Sequence, residues 1–123
     1  MYTLDTNTII YYLKDDQKAV AMLRDIFARD IPLYISAITE LELFAFSHLS
    51  EEEAERIDLI LHTVSIIPID SRIARLAGAL KRTYHIKTPD SGVAATALFT
   101  GSTLITRNIR DFRKIPHLSL LEV

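Results

Sequence analysis

Asp5 is the first of several carboxylates whose placement in this sequence suggests chemistry. It lies in the stretch LDTNT, where the apolar segment Tyr2–Leu4 runs directly into four oxygen-bearing side chains. Glu42, Asp90 and Asp111 are three further candidates farther along the chain. Carboxylates that lie close together raise one another's pKa, and a bound divalent cation removes that repulsion. What these four residues could do together therefore depends on the elements that position them.

The apolar pattern alternates between short runs and longer helical periods. This alternation predicts a single α/β domain over residues 1–123, with a mainly parallel central sheet of about five strands flanked by helices. The predicted strands are Tyr2–Leu4, Pro32–Ile35, Val64–Ile69, Thr103–Thr106 and Leu118–Leu121. Because proline cannot donate to a ladder, Pro68 predicts an edge position for the third strand.

Capping residues mark where the helices that carry the acids begin. Ser36 is a good N-cap for the helix that contains Glu42. Thr88 is predicted to cap the helix of Asp90, with Pro89 at its first position and Gly101 as its stop. The helix of Glu42 begins where the strand before it ends. The helix of Asp90 leads into a parallel strand, so it begins at the edge of the sheet where that strand has its carboxyl end.

The four carboxylates are expected at one edge of the sheet, because ligands of open α/β sheets bind beyond the carboxyl ends of the strands. Asp5 follows the first strand, Asp111 lies a few residues beyond the fourth, and the helices of Glu42 and Asp90 begin at the same edge. Three of the acids also have ordinary explanations: Asp5 as a helix cap, Asp90 as a partner of the helix dipole and Asp111 as a loop residue. Asp70 is left out of the site because capping explains it fully.

Glu42, and not Glu40, is predicted to face the site. Two residues along a helix turn by about 200°, so the two side chains cannot share a face. Glu42 falls inside a predicted inward stripe formed by Ile38, Leu41, Ala45 and Leu49. A lone carboxylate on such a stripe is costly to bury without a partner.

The predicted ligands are hard oxygens, which favour Mg²⁺ or Mn²⁺. Zinc is not expected, because the sequence has no cysteine and its four histidines show no ligand spacing. Thr6, Thr106 and Asn108 supply neutral groups at the same edge that could orient the carboxylates or a water molecule.

The formal net charge of −2 does not indicate a nucleic-acid partner. Basic residues nevertheless flank Asp90 and Asp111 and could attract a phosphate backbone: Lys81, Lys87, Arg107, Arg110, Arg113 and Lys114. A solvated helix surface is the alternative interpretation.

The chain shows no secretory leader, no cysteine and no apolar stretch long enough to cross a membrane, so a cytoplasmic location is expected.

Four segments occur in an order that resembles a known family: LDTN, ISAITELEL, TPDSGVAATAL and LITRNIRDF. Together they resemble the PIN domain of VapC-type toxin ribonucleases over nearly the whole chain. The resemblance implies a Mg²⁺-dependent endoribonuclease, usually a homodimer, that a small VapB-type antitoxin neutralises. It assigns the family's acids to Asp5, Glu42, Asp90 and Asp111. Thr6, Thr106 and Asn108 would assist, and the basic residues would bind RNA.

The expected mechanism is metal-assisted hydrolysis of an RNA phosphodiester, without a side-chain nucleophile. One alternative is a PIN-fold module that binds RNA or protein without cutting. Another is an aspartyl-phosphate phosphatase, which is disfavoured because Asn7 stands where that chemistry needs a second acid.

Apolar residues around the helix of Glu42 predict contacts with partner proteins. Leu43, Phe44 and Phe46 make this helix apolar almost all round, which a monomer would rarely leave exposed. We expect a homodimer that uses this surface or the region of Tyr11 and Tyr12, together with a groove for an antitoxin segment. Burial against a neighbouring helix is the alternative.

Overall fold

Short apolar runs form strands and the amphipathic segments between them form helices, as the pattern predicts. A computed structural model describes the whole chain, residues 1–123. The strands are β1 Tyr2–Leu4, β2 Leu33–Ser36, β3 Ser65–Ile67, β4 Thr103–Thr106 and β5 Leu120–Glu122. The helices are α1 Thr6–Leu13, α2 Gln17–Ala28, α3 Ala37–Phe44, α4 Glu51–Leu61, α5 Ser71–Tyr84, α6 Thr88–Thr100 and α7 Ile109–Phe112. None of these helices has both the length and the apolar composition to cross a bilayer.

The five strands form one sheet in the order β3-β2-β1-β4-β5. Every neighbouring pair is parallel, which confirms the predicted α/β class. β3 lies at an edge, as Pro68 predicted, and Pro68 itself falls just beyond the strand. Because all strands are parallel, their carboxyl ends share one edge, and β1 and β4 are neighbours there.

Helices cover both faces of the sheet and create two apolar clusters. Successive residues of a strand point to opposite faces, so Leu104 and Ile105 of β4 belong to different clusters. One cluster includes buried residues of α1, α2 and α4, and the other lies beneath α5, α6 and α7. Helix α6 is buried continuously from Ser91 to Ala97, because it packs against the sheet and also against α5. The helix that carries Asp90 is therefore firmly held.

Several predicted boundaries shift by one or two residues. The N-cap of α6 is Lys87 and not Thr88, which is already the first helical residue, and no side chain caps this end. Gly101 ends the helix as predicted, with the positive φ of 64° that favours glycine. The last strand begins at Leu120 and not at Leu118, whose backbone N–H donates to the carbonyl of Ile115 in the preceding turn.

The predicted inward stripe of α3 is wrong. Leu41 is 60% exposed and Ala45 is also exposed, whereas Thr39 and Leu43 are completely buried. The helix ends at Phe44, so it is too short to carry the predicted stripe, and it contacts both α1 and α6. The prediction that Leu43 belongs to an exposed surface is wrong for the same reason.

Alanine substitutions at two neighbouring leucines test the observed orientation of α3. We expect Leu43→Ala to lower the free energy of unfolding by about 2–5 kcal/mol, because it removes a buried side chain from a packed core. Leu41→Ala is the matched control and should change it by less than about 0.5 kcal/mol. Urea denaturation measures both values. Equal losses, or a larger loss at Leu41, would contradict the orientation.

Candidate active site

Asp5 is held at the carboxyl end of β1 by two different donors. Its Oδ1 accepts from the backbone N–H of Thr8 at 2.8 Å and thereby caps α1. Its Oδ2 accepts from the hydroxyl of Thr106 at 2.5 Å. Only 7% of Asp5 is exposed. The capping interpretation is therefore correct for one carboxylate oxygen, while the other oxygen connects the ends of two neighbouring strands.

Thr106 is the connecting residue at the end of β4. Its hydroxyl donates to Asp5 and also accepts from the backbone N–H of Asn108 at 3.0 Å. The side chain is completely buried. Thr106 therefore fixes the Asp5 carboxylate relative to the turn that leads into α7.

Glu42 faces the same edge through a contact with α1. The hydroxyl of Thr6 donates to Glu42 Oε1 at 2.6 Å and lies 3.2 Å from the hydroxyl of Thr39. A hydroxyl has one proton, and the carboxylate contact is the shorter of the two. Sequence reasoning overlooked Thr39, although its position three residues before Glu42 places it on the same face of the helix.

Asp111 lies on α7 beside a neutral donor and several cations. Asn108 Nδ2 donates to Asp111 Oδ2 at 3.0 Å, and Lys114 Nζ lies 3.8 Å from Oδ1. The hydrogen bond from Asn108 lowers the pKa of Asp111, and the charges of Lys114, Arg110 and Lys87 lower it further. This carboxylate is therefore held in its ionised form.

Asp90 is the carboxylate whose pKa is raised by burial and by the other three acids. It lies in the first turn of α6, and partial burial raises its pKa above the usual value for an aspartate. The negative charges of Asp5, Asp111 and Glu42 raise that pKa further, opposed by the positive charge of Lys87. We call these four carboxylates the acidic rim. Residues that are far apart in the sequence thus share one electrostatic environment.

The acidic rim suits a hard cation in its chemistry, but its side chains are not closed around one. No three acidic or histidine side chains have their donor atoms arranged to hold a metal ion. Asp5, Glu42 and Asp111 each accept a hydrogen bond from a neighbouring hydroxyl or amide. Carboxylate oxygens are the preferred ligands of Mg²⁺ and Mn²⁺. Each of these hydrogen-bonded carboxylates keeps further lone pairs that a cation could use.

The predicted basic residues are divided between the rim and other contacts. Lys87, Arg110 and Lys114 are near enough to influence the pKa of Asp111. Lys81 Nζ donates to the carbonyl of Ile86 at 3.2 Å, in the turn between α5 and α6. Arg113 is exposed. These five residues remain candidates for RNA contact.

Arg107 differs from the other five basic residues because its guanidinium is held by contacts within the protein. Its NH2 and NH1 groups donate to the two carboxylate oxygens of Asp16 at 2.9 and 3.2 Å. Nε donates to the Val123 carbonyl at 3.2 Å, and the guanidinium carbon lies 4.1 Å from the Tyr11 ring centroid. These contacts leave the side chain little freedom to bind a phosphate, so we remove Arg107 from the proposed RNA-binding residues.

The pairing of Arg107 with Asp16 also organises α2. The hydrogen bonds from Arg107 and from the backbone N–H of Ala19 lower the pKa of Asp16 to about 2. Through the bond from Ala19, Asp16 caps α2, and through the bonds from Arg107 it connects this helix to the residue that follows β4. Asp70 similarly caps α5, by accepting from the backbone N–H of Ile73 at 3.0 Å, and it has no contact with the acidic rim among its hydrogen bonds or ion pairs.

Comparisons with known proteins agree with this fold. The sequence profile of the PIN domain matches residues 2–118. Ribonuclease VapC1 of Haemophilus influenzae is 32% identical over 126 residues, which cover 96% of this chain and 94% of the relative. Ribonuclease VapC2 of Rickettsia felis is 27% identical over 98% of this chain and 96% of the relative.

Solved structures extend the similarity to three dimensions. A chain of a toxin–antitoxin complex from Klebsiella pneumoniae has a TM-score of 0.82 and 31% identity, with 100% of both chains covered. VapBC2 from Rickettsia felis, bound to a DNA fragment from its promoter, contains a chain with a TM-score of 0.85 and 27% identity, covering 99% of this chain and 98% of that one. The chain therefore belongs to the PIN-domain family, within the group of its VapC members.

Proposed function

We propose that this protein is the toxin of a toxin–antitoxin pair and acts as an endoribonuclease that hydrolyses RNA phosphodiester bonds. The observation that carries the proposal is that hydrogen bonds hold Asp5, Glu42 and Asp111 at the edge of the sheet where Asp90 lies in the first turn of α6, and that burial and their charges raise the pKa of Asp90. The similarity to proteins named Ribonuclease VapC and to chains of toxin–antitoxin complexes supports the same conclusion.

A divalent cation, Mg²⁺ or Mn²⁺, is the proposed cofactor, and Asp5, Glu42, Asp90 and Asp111 are its proposed ligands. When bound, such a cation lowers the pKa of a coordinated water and stabilises charge on the attacked phosphate. The protein's own contribution is to position the ligands. Thr106 orients Asp5, Thr6 orients Glu42 and Asn108 orients Asp111.

The RNA backbone would approach this edge along the basic residues that surround it. Lys87, Arg110 and Lys114 lie near Asp111, and Lys81 and Arg113 extend the positive charge on α5 and after α7. Their charges oppose the repulsion between an anionic substrate and the acidic rim. This local arrangement allows an overall acidic protein to attract a polyanion.

A cognate VapB-type antitoxin is the proposed protein partner, by similarity to the VapBC complexes. Leu41, Phe44 and Phe46 are exposed on and just after α3, so they remain a candidate contact surface. Tyr11 and Tyr12 are only partly exposed. A homodimer and a cytoplasmic location stay predictions.

A matched pair of substitutions on α3 separates catalysis from a purely binding role. We expect Glu42→Gln to slow RNA cleavage by roughly a hundredfold, because a lost metal ligand removes several kcal/mol of transition-state stabilisation. Glu40→Gln removes the same charge from the same helix and should leave cleavage nearly unchanged. A gel assay with Mg²⁺ or Mn²⁺ measures both rates. Equal rates for the two variants would exclude Glu42 from the site, and inactivity of the wild-type protein would favour the non-catalytic module.

A further inference from the structure

A slot of about 250 Å³ opens between α5 and α6. Its walls include Ile38, Ile69, Ala77, Gly78, Lys81 and Gly92. Ile38 follows the end of β2, Ile69 follows the end of β3 and Thr88 begins α6, so the slot opens at the same edge of the sheet as the acidic rim. We call this cavity the α5–α6 slot.

Two glycines determine the shape of the slot. A Cβ atom at Gly92 would lie 3.3 Å from Cγ2 of Ile38 and 3.7 Å from Cδ1 of Ile69, so the chain is closely packed at this wall. A Cβ atom at Gly78 would meet no atom within 4 Å. Glycine in the interior of a helix costs stability relative to alanine, and no packing constraint in this chain requires Gly78. Its effect is to leave the slot open.

The lining of the slot is mainly apolar, and its polar residues are Lys81, Thr88 and Ser91. Ile69 is 39% exposed, so an isoleucine side chain stays accessible to an incoming group. Ser91 is not a free donor, since its hydroxyl donates to the Thr88 carbonyl at 2.7 Å. Lys81 uses one of its three donors on the Ile86 carbonyl and keeps the others. An apolar group with an anion or an acceptor beside it therefore complements this lining.

We propose that the α5–α6 slot receives one unpaired nucleobase of the RNA substrate, adjacent to the phosphodiester that reaches the acidic rim. The inference rests on the proposed function. A nucleobase offers an apolar face to Ile38 and Ile69, while its ring acceptors or the neighbouring phosphate meet Lys81. An aliphatic side chain from a protein partner would fill the apolar space but would leave the cation without a counterpart. The slot thus selects a nucleotide next to the cleavage position.

The test fills the slot and measures RNA binding without cleavage. Gly78→Leu places a side chain in open space and replaces glycine by a better helix former, so thermal unfolding should show an intact fold. Thr83→Leu adds similar apolar bulk at an exposed position of α5 outside the slot. The ligands are fluorescent single-stranded oligoribonucleotides, each with one abasic position, and fluorescence anisotropy is recorded in excess chelator.

For the wild-type protein, removing the base at one particular position should weaken binding by roughly tenfold, because the apolar area that the base would bury against Ile38 and Ile69 is lost. Gly78→Leu should bind the complete oligonucleotide as weakly as the abasic one, and Thr83→Leu should behave like the wild-type. As a second probe, Lys81→Met should weaken binding of the complete oligonucleotide and reduce its salt dependence.

Two results would overturn the inference. One is a wild-type protein whose affinity is the same for every abasic position. The other is a Gly78→Leu variant that keeps the base preference but loses affinity for the antitoxin, which would assign the slot to a protein side chain. Because these measurements need no cleavage, they stay distinct from a failure of the ribonuclease activity, which a separate assay of the wild-type protein with Mg²⁺ would reveal.

Discussion

An Asp5→Asn variant is expected to keep its fold and to cleave RNA roughly a hundred- to a thousandfold more slowly than the wild-type chain, because one charged metal ligand is lost. Asparagine retains the side-chain oxygen that accepts from the backbone N–H of Thr8, so α1 remains capped. The hydroxyl of Thr106 can accept from the new amide. The substitution therefore removes the negative charge and reverses the direction of the hydrogen bond with Thr106.

Asp70→Asn is the matched control for this variant. Asp70 caps α5 with the same geometry by which Asp5 caps α1, but it is not part of the acidic rim. Circular dichroism should show that both variants are folded, and an RNA cleavage assay should show a loss only in Asp5→Asn. A cleavage rate within a few-fold of the wild-type for Asp5→Asn would remove Asp5 from the catalytic machinery.

An Asp90→Asn variant is expected to lose cleavage to a similar degree and also to unfold at a higher temperature than the wild-type in excess chelator. Asp90 is partly buried and is repelled by Asp5, Asp111 and Glu42, so its ionised form destabilises the folded chain. An amide of the same shape carries no charge and relieves this repulsion. Function and stability should therefore change in opposite directions.

The sign of the pH dependence follows from the raised pKa of Asp90. In the folded chain Asp90 binds its proton more tightly than in the unfolded chain, so its contribution to stability is present at low pH and is lost as pH rises through the folded-state pKa. The stability gap between Asp90→Asn and the wild-type should be wide at neutral pH and should narrow on acidification. Thermal unfolding across this range measures it.

Asp58→Asn provides the control for charge alone, because Asp58 is exposed on α4 and makes no ion pair. It should shift the free energy of unfolding by less than about 0.5 kcal/mol. Added Mn²⁺ should stabilise the wild-type protein and affect Asp90→Asn much less. An Asp90→Asn variant that is less stable than the wild-type in chelator at neutral pH would contradict the account of repulsion.

The sheet and its acidic edge could be predicted from the sequence because short-range rules determine them. Strands that alternate with helices become parallel, parallel strands share one carboxyl edge, and Asp5 immediately follows such a strand. The edge position of β3 followed from one proline. These inferences need only local pattern and the geometry of parallel sheets.

Features that depend on tertiary packing could not be predicted in the same way. The orientation of α3 is set by contacts with both α1 and α6, so a single apolar stripe did not reveal that Leu43 is buried and Leu41 exposed. The engagement of Arg107 by Asp16 joins residues 91 positions apart in the chain. Charge alone could not distinguish Arg107 from the basic residues that remain candidates for RNA contact.

Calorimetric titration with Mn²⁺ tests most directly the claim that the acidic rim is a metal site. The wild-type protein should show saturable binding, and Asp90→Ala should abolish it, while Asp70→Asn should bind as the wild-type does. A wild-type chain that binds no Mn²⁺, or an Asp90→Ala variant whose binding isotherm is unchanged, would contradict the claim.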